Sequence, residues 1–388
     1  MRGAAMEKLR RFDWVLFLSM LALIALGATA IRSAGLARPE EMFHGIWLST
    51  LASAGIGLVL YFVLAFTDYR AVLGVLSIPA YAVSVVLLAA VLLAGSTVYG
   101  GRRWLWFFQP SEISKICVIA LLANVFGRVE RTGLRGFLAA AVILAVPVGL
   151  ILAEPDLGTA LTLVPAAVLM LFAAGVWRRG LVTLAAVAGI ATLLLLGAVY
   201  EAEKPGVPAE RRARILSCVP LKPHQIRRVR VFLFPERDRT GAGYNLRQAK
   251  ISIGSGGFAG KGLGRGESNH LKYLPQAISM NDFIFCVYAE ETGFVGSTLL
   301  LALFGVLLLS GCRVAIVSHE GRGRLLALGV STLIFAHVYV NIAMSLGIVP
   351  ITGLPLPFIS SGRTFLVMLM CALGLVQSVS IHRERMKE

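Results

Sequence analysis

Charged and strongly polar side chains inside apolar runs are costly, and they face a cavity or a partner. Five groups of residues stand in that position. Glu112 and Lys115 lie three apart, which places them on one face of a helix as a pair. Glu154 and Asp156 flank Pro155, Glu290 and Glu291 are adjacent with Gly293 close behind, and His337 and Asn341 lie four apart. Asp282 opens an apolar run directly after a long basic segment. A carboxylate at such a boundary can accept a proton from a substrate hydroxyl. It can equally cap a helix, since negative charge in a first turn complements the dipole. The other groups have a structural reading too, as internal ion pairs and hydrogen bonds that fix helix packing.

Two backbone features accompany these side chains. The run Gly254-Ser255-Gly256-Gly257-Phe258-Ala259-Gly260-Lys261-Gly262 invites comparison with a phosphate loop, but Gly262 stands where the Walker pattern needs Ser or Thr. It reads instead as backbone in close approach to a bulky ligand, or as turn packing. Residues 347–358 are apolar yet hold three prolines and two glycines. They cannot form a regular helix, and they read as an outer re-entrant or groove-lining loop sheltered by protein or water.

The elements that position these residues follow from composition. Of the 388 residues 57% are hydrophobic and only 15% charged, against about 25% charged in soluble domains. The apolar residues form long unbroken runs, so the fold class is an all-α polytopic integral membrane protein. A net charge of +16 would suggest a nucleic-acid binder in a soluble chain. Here the basic residues lie between the apolar runs as topology signals and headgroup contacts, and no nucleic acid is expected. The five cysteines follow no metal-ligand or disulfide spacing.

Ten runs are long enough to span a bilayer: 13–34, 46–66, 72–95, 111–127, 136–153, 157–176, 180–200, 282–311, 323–347 and 363–381. The first has a basic start and an Ala28-Thr29-Ala30 that fits a signal-peptidase site, but its length favours an uncleaved helix. With the N-terminus inside, the inner segments hold sixteen Lys and Arg and the short outer ones five. That bias puts both termini in the cytoplasm. Three regions result: 1–200 with seven spans, an extracytoplasmic loop at 201–281, and 282–388 with three spans and the Pro-rich outer loop 347–362. The large loop carries 15 of the 37 basic residues and six acids, which invites a polyanion or a phosphate.

Taken together, several segments between about 99 and 362 resemble the shape, elongation, division and sporulation family typified by RodA and FtsW. Tyr99-Gly100-Gly101-Arg102-Arg103-Trp104, followed by Gln109-Pro110-Ser111-Glu112 and Lys115, is similar to the motif leading into the family's fourth helix. Pro155-Asp156-Leu157-Gly158-Thr159-Ala160-Leu161 resembles the next motif. In the loop, Gln225, Arg228, Val229, Phe232, Leu233, Pro235, Gly243, Tyr244 and Gln248 keep the family spacing. Asp282-Phe283-Ile284-Phe285 with Glu290-Glu291 resembles the motif holding the family's essential aspartate, and 353–360 resembles the last outer loop. Three departures stand out. Met280-Asn281 replaces His-Thr, with extra residues after Pro275; Ser361-Gly362-Arg363 replaces Tyr-Gly-Gly; and His224 replaces a tyrosine.

The resemblance implies a peptidoglycan glycosyltransferase that polymerises lipid II at the outer face of the cytoplasmic (inner) membrane, with Asp282 as general base. It implies substrate contacts at Arg102, Arg103, Glu112, Lys115, Asp156, Arg228, Gln248, Lys261, Glu290 and Glu291. A divalent cation, Mg or Mn, is expected at the lipid pyrophosphate, with its ligands unassigned. A class B penicillin-binding protein and other elongation machinery are the expected partners. The loop pattern and the run 156–161 look more like RodA, hence an elongation and cell-shape role, with an FtsW-like division role as the alternative. A lipid-precursor flippase would use the same buried charges without bond formation. An inactive scaffold for a penicillin-binding protein would account for the departures near Asp282.

Overall fold

The computed structural model describes residues 7–36, 45–98, 101–105, 108–128, 133–154, 156–204, 206–221, 223–267 and 279–383. Tyr99, Gly100, Pro155 and Pro275 lie outside the described residues, as do the side chains of Arg102 and His224. The chain is a bundle of apolar helices: α1 Trp14–Leu36, α2 Ile46–Phe66, α3 Tyr69–Ala94, α4 Pro110–Phe126, α5 Leu134–Ala153, α6 Leu157–Ala173 and α7 Arg178–Ala202. The large loop contributes α8 Ala209–Ser217, α9 Pro223–Leu233 and α10 Ala242–Ser255. The bundle closes with α11 Ile284–Val317, α12 Gly321–Leu346 and α13 Arg363–Ile381.

Eight of these helices are long and apolar enough to cross a membrane. At the positions of the other two expected spans stand α4 and α6, of 17 residues each, of which α6 is a shorter apolar helix. The eighth span corrects the expectation at its start. Regular helix begins at Ile284, so Asp282 sits in the turn before it. Local chemistry explains several boundaries. Pro110 opens α4, where its missing N–H costs nothing. The Asp156 carboxylate caps α6 by accepting from the Thr159 amide. Pro147 and Pro165 are tolerated inside α5 and α6, as prolines are in membrane helices. Before α4, β1 (Ser96–Val98) and β2 (Gly101–Trp104) form a small antiparallel hairpin.

The bundle is centred on α12 and α13, which are largely buried, while α7 presents nearly all of its span to the surroundings. Small residues let backbones meet at the centre, as is usual where lipid offers no hydrophobic drive for association. A Cβ at Gly374 of α13 would lie 2.7 Å from the Tyr61 carbonyl of α2. A Cβ at Gly27 of α1 would lie 2.1 Å from the Phe358 carbonyl, so α1 presses directly on the Pro-rich loop. Gly27→Val should therefore overpack that contact at about 1–3 kcal/mol and lower the thermal midpoint of the detergent-purified protein. Gly55→Val, where a Cβ meets nothing within 4 Å, should leave it unchanged. Equal midpoints for the two variants would contradict the packing.

Candidate active site around Asp282

The turn carrying Asp282 is held from two sides. Asn341 of α12 donates its Nδ2 to the Asp282 carbonyl at 2.9 Å and to the Leu354 carbonyl at 2.6 Å. One amide thus ties the aspartate's backbone to the Pro-rich loop. The far end of that loop holds Asn281. Ser360 Oγ donates to the Asn281 carbonyl, and Ser361 Oγ to Asn281 Oδ1, each at 2.6 Å. The Ser361 amide also donates to the Met280 carbonyl at 3.2 Å. Two of the three departures from the family pattern therefore touch each other. Gly353 supplies the remaining wall. It adopts φ +76°, and a Cβ there would lie 3.3 Å from Asp282 Oδ2, so glycine serves both the backbone and the space.

The sequence boundary lets Asp282 stay partly solvated and still reach a substrate, and the structure leaves the residue between buried and exposed. The side chain is half-buried and densely surrounded by protein. Burial pushes its carboxyl up to about 6, and the guanidiniums of Arg103 and Arg228 oppose that rise. Arg103 comes from β2 and also stands 3.9 Å from Asp156 Oδ1. Arg228 comes from α9 and lies in the field of Arg103, Asp156 and Asp282. Asp156 is fixed in turn by Gln109 Nε2 at 3.1 Å and by the Thr159 amide and hydroxyl. Glu154 is fully buried beside this group, and neither of its oxygens is hydrogen-bonded among the described residues.

A second polar cluster lies one turn along α12. Glu112 and Lys115 are 2.8 Å apart, and Lys115 Nζ is 2.9 Å from His337 Nε2. Lys115 thus bridges the Glu112 carboxylate and the His337 imidazole. The Phe365 ring lies 5.0 Å from the same ammonium, within cation–π range. His337 precedes Asn341 by four residues, so this buried group shares a helix face with the Asp282 clamp.

Other candidates are engaged elsewhere. Glu290 and Glu291, expected as substrate contacts, bind the glycine-rich segment and α1. Glu290 accepts from Ser252 Oγ at 2.9 Å, Lys261 Nζ at 2.8 Å and the Glu267 amide at 3.0 Å. Glu291 accepts from Ser33 Oγ at 2.7 Å. Lys261 is thereby committed, and Glu267 approaches it as well at 3.4 Å. Two of the glycines approach α11 closely. Cβ atoms at Gly256 and Gly260 would lie 2.3 and 2.2 Å from the Ala289 and Glu291 carbonyls of α11. Gly293 breaks α11 with φ +67° and ψ −163°, and the segment bonds to the freed backbone: Lys261 N to Glu290 O, Gly262 N to Glu291 O, Phe294 N to Gly257 O. Gln248 lies half-buried on α10, and no hydrogen bond joins it to Asp282.

Sequence reasoning names Asn281, Ser361 and Gln109 only as motif positions and misses their contacts, which arise from partners distant in sequence. It also misses Glu203, buried at the end of α7, which gathers Arg212, Arg230 and Arg237 at 2.6, 2.8 and 3.5 Å. These side chains line a cavity of about 640 Å³ on a different face of α9 from Arg228. A cluster of acids inside a basic loop was the one available signal. For the expected Mg or Mn ion the described residues offer no ready-made cage, so such an ion would take most of its ligands from a bound substrate and water. No three His, Cys, Asp or Glu side chains converge among the described residues, and arginines are the neighbours of Asp282 and Asp156.

A carboxylate in the field of two arginines, at one end of a polytopic helix bundle, marks the candidate site of a multi-pass membrane protein. Comparison with known proteins agrees. The FtsW/RodA/SpoVE family, described as "Cell cycle protein", matches residues 13–385. "Peptidoglycan glycosyltransferase MrdB" of Escherichia coli strain K12 is 34% identical, covering 97% of this chain and 95% of its own. "Probable peptidoglycan glycosyltransferase FtsW" of Trichlorobacter lovleyi is also 34% identical, covering 96% and 94%. A solved structure described as "Structural coordination of polymerization and crosslinking by a peptidoglycan synthase complex" superposes with a TM-score of 0.77 at 32% identity, covering 96% and 98%. The chain belongs to the FtsW/RodA/SpoVE family, and it is a glycosyltransferase of that family's kind.

The buried pair gives a direct test. Neutralising one partner strands the other charge, at about 3–5 kcal/mol. Glu112→Gln and Lys115→Met should each lower folded yield and activity sharply, and the double change should cost much less than their sum. Strict additivity in that cycle would show that the two do not interact.

Proposed function

We propose that this protein polymerises lipid II into glycan strands at the outer face of the cytoplasmic membrane, during cell elongation and shape maintenance. The observation that carries the reading is Asp282, enclosed and opposed by Arg103 and Arg228. In this mechanism the acceptor sugar's hydroxyl gives its proton to Asp282 as its oxygen bonds to the donor's anomeric carbon. The bond from that carbon to the lipid diphosphate breaks, and the diphosphate leaves with the electron pair. Arg103 and Arg228 offset the charge that develops on it, the kind of fixed electrostatic stabilisation that lowers such barriers. A carboxyl raised to about 6 by burial is a better base than an ordinary aspartate and still largely ionised at neutral pH. The matched motifs contribute Asp156 and Gln109, which orient Arg103.

A class B penicillin-binding protein is the proposed partner, crosslinking the strands made here. The solved relative described by coordinated polymerization and crosslinking supports that pairing. The elongation role rests on the RodA-like loop residues 225–248 and the run Asp156–Leu161. Depleting the protein from its native host should then round the cells. Filaments with normal width would assign it to division instead.

Purified protein supplied with labelled lipid II tests the chemistry. Asp282→Asn should retain the fold, and polymer formation should fall by about 10²–10⁴-fold. Leaflet exchange without polymer from the native chain would make it a transporter, and near-native polymerisation by Asp282→Asn would remove the base assignment.

The pH dependence follows from the same carboxyl. The ionised form is the active one, so polymerisation should fall about tenfold per unit as pH drops below about 6. Arg228 holds that value down, so Arg228→Ala should move the acid limb to higher pH as well as slow turnover. Arg228→Lys should restore the limb's position but lose part of the rate, because an ammonium lacks the planar fork. An unmoved limb in Arg228→Ala would place the arginine outside the site.

A further inference from the structure

The opposite end of the bundle holds a cavity that the chemistry above does not use. Residues 10–15, the end of α11 and the end of α13 enclose about 240 Å³. Four arginines line it, Arg10, Arg11, Arg313 and Arg383, with Asp13 as the only acid of the lining. Asp13 is occupied, since its carboxylate accepts from the Leu16 amide at 3.0 Å and caps α1. Arg11 is occupied too, paired with Glu7 at 2.7 Å and donating to the Arg383 carbonyl. The guanidiniums of Arg10, Arg313 and Arg383 have no acid or hydrogen-bond partner among the described residues. The walls are fastened together, because Ser380 Oγ of α13 donates to the Arg11 carbonyl at 2.8 Å.

The remaining lining is apolar. Trp14 and Val15 are about half exposed, and Val314 and Val317 of α11 complete that side. The arginine bias of the short loops puts this end at the cytoplasmic interface, where an indole sits at headgroup level. Three unpaired guanidiniums beside an indole and valines match a phosphate diester with apolar chains leaving along the bundle. We propose that this cavity binds the phosphate headgroup of an anionic phospholipid of the cytoplasmic leaflet. Its volume suits one headgroup and falls short of an ordinary small-molecule pocket. Basic pockets between membrane helices on this side are suited to such headgroups. The inference is independent of the reaction proposed at Asp282.

Trp14 provides the readout. The full chain is placed in nanodiscs of neutral phosphatidylcholine doped with brominated phosphatidylglycerol or brominated phosphatidylcholine, and tryptophan quenching is recorded. The Trp14 component is the difference between the native chain and Trp14→Phe. Brominated phosphatidylglycerol should quench it at a mole fraction roughly tenfold lower than the neutral lipid. The R10A/R313A/R383A variant should lose that preference, while R10K/R313K/R383K keeps most of it. R135A/R178A/R179A, which removes the same charge elsewhere on the cytoplasmic side, should keep it fully. Equal quenching by both lipids in the native chain overturns the proposal. So does a loss of preference in the R135A/R178A/R179A control as large as in R10A/R313A/R383A, which would mean a diffuse field. Displacement of the brominated anionic lipid by inorganic phosphate at constant ionic strength would make the site one for free anions, and the lipid assignment would fall.

Discussion

Backbone that leaves the helix near a membrane must find its hydrogen bonds in protein, because lipid offers none. The architecture around Asp282 follows from that constraint. The aspartate stands in a turn between the large loop and α11, and the segment facing it, 351–358, is broken by prolines. Asn341 answers both at once by donating to a carbonyl in each. Ser360 and the Leu356 amide close the far side, with Ser360 Oγ also accepting from that amide at 2.8 Å. Without Asn341 two irregular strands would lie together with unpaired carbonyls, and the carboxylate between them would have no defined position. The same logic recurs at the break of α11. Gly293 frees backbone groups there, and the glycine-rich segment 256–262 supplies their partners. The later part of the large loop is thus anchored to α11 by backbone chemistry.

Charge in the bundle is organised by the same economy. Lys115 is almost wholly buried, so an ammonium there needs several partners at once, and Glu112, His337 and the Phe365 ring surround it. Because His337 and Asn341 share a face of α12, the ionic cluster and the clamp form one rigid unit behind Asp282. Arg103 and Arg228 come instead from a small hairpin and a loop helix. The carboxylate is therefore held by the bundle, whereas the cations opposing it come from the hairpin and the large loop.

Much of this was legible in the sequence. The ten spans, the Glu112–Lys115 pair and the irregular loop at 347–358 follow from local rules of length, spacing and proline content, which need no knowledge of neighbours. Asp282 and Asp156 were found because of their boundary positions and motifs. What local rules could not supply was any bond between distant segments. The Lys115–His337 contact joins residues 222 apart, and Asn281 meets Ser361 across 80. The internal partners of Glu290, Glu291 and Lys261 were invisible for the same reason. Each looks available in sequence, and each is taken up by a partner that only the folded chain brings near.

The basic loop illustrates how far composition misleads. Its surplus of arginines suggests a diffuse trap for polyanions, yet most of those with visible partners are spent internally. Arg212, Arg230 and Arg237 converge on Glu203, and Arg247 reaches the Pro235 carbonyl at 3.0 Å. On α9, Ile226, Arg227, Arg230 and Val231 share the face that, with Phe234 just beyond the helix, lines the Glu203 cavity. At about 100° per residue, Arg228 points more than a right angle away from the middle of that face. One short helix thus holds the loop together with one side and presents a single guanidinium to Asp282 with another. The loop's contribution to the site is therefore a matter of direction. Arg228 counts because the pairing of its neighbours with Glu203 fixes how α9 is rotated.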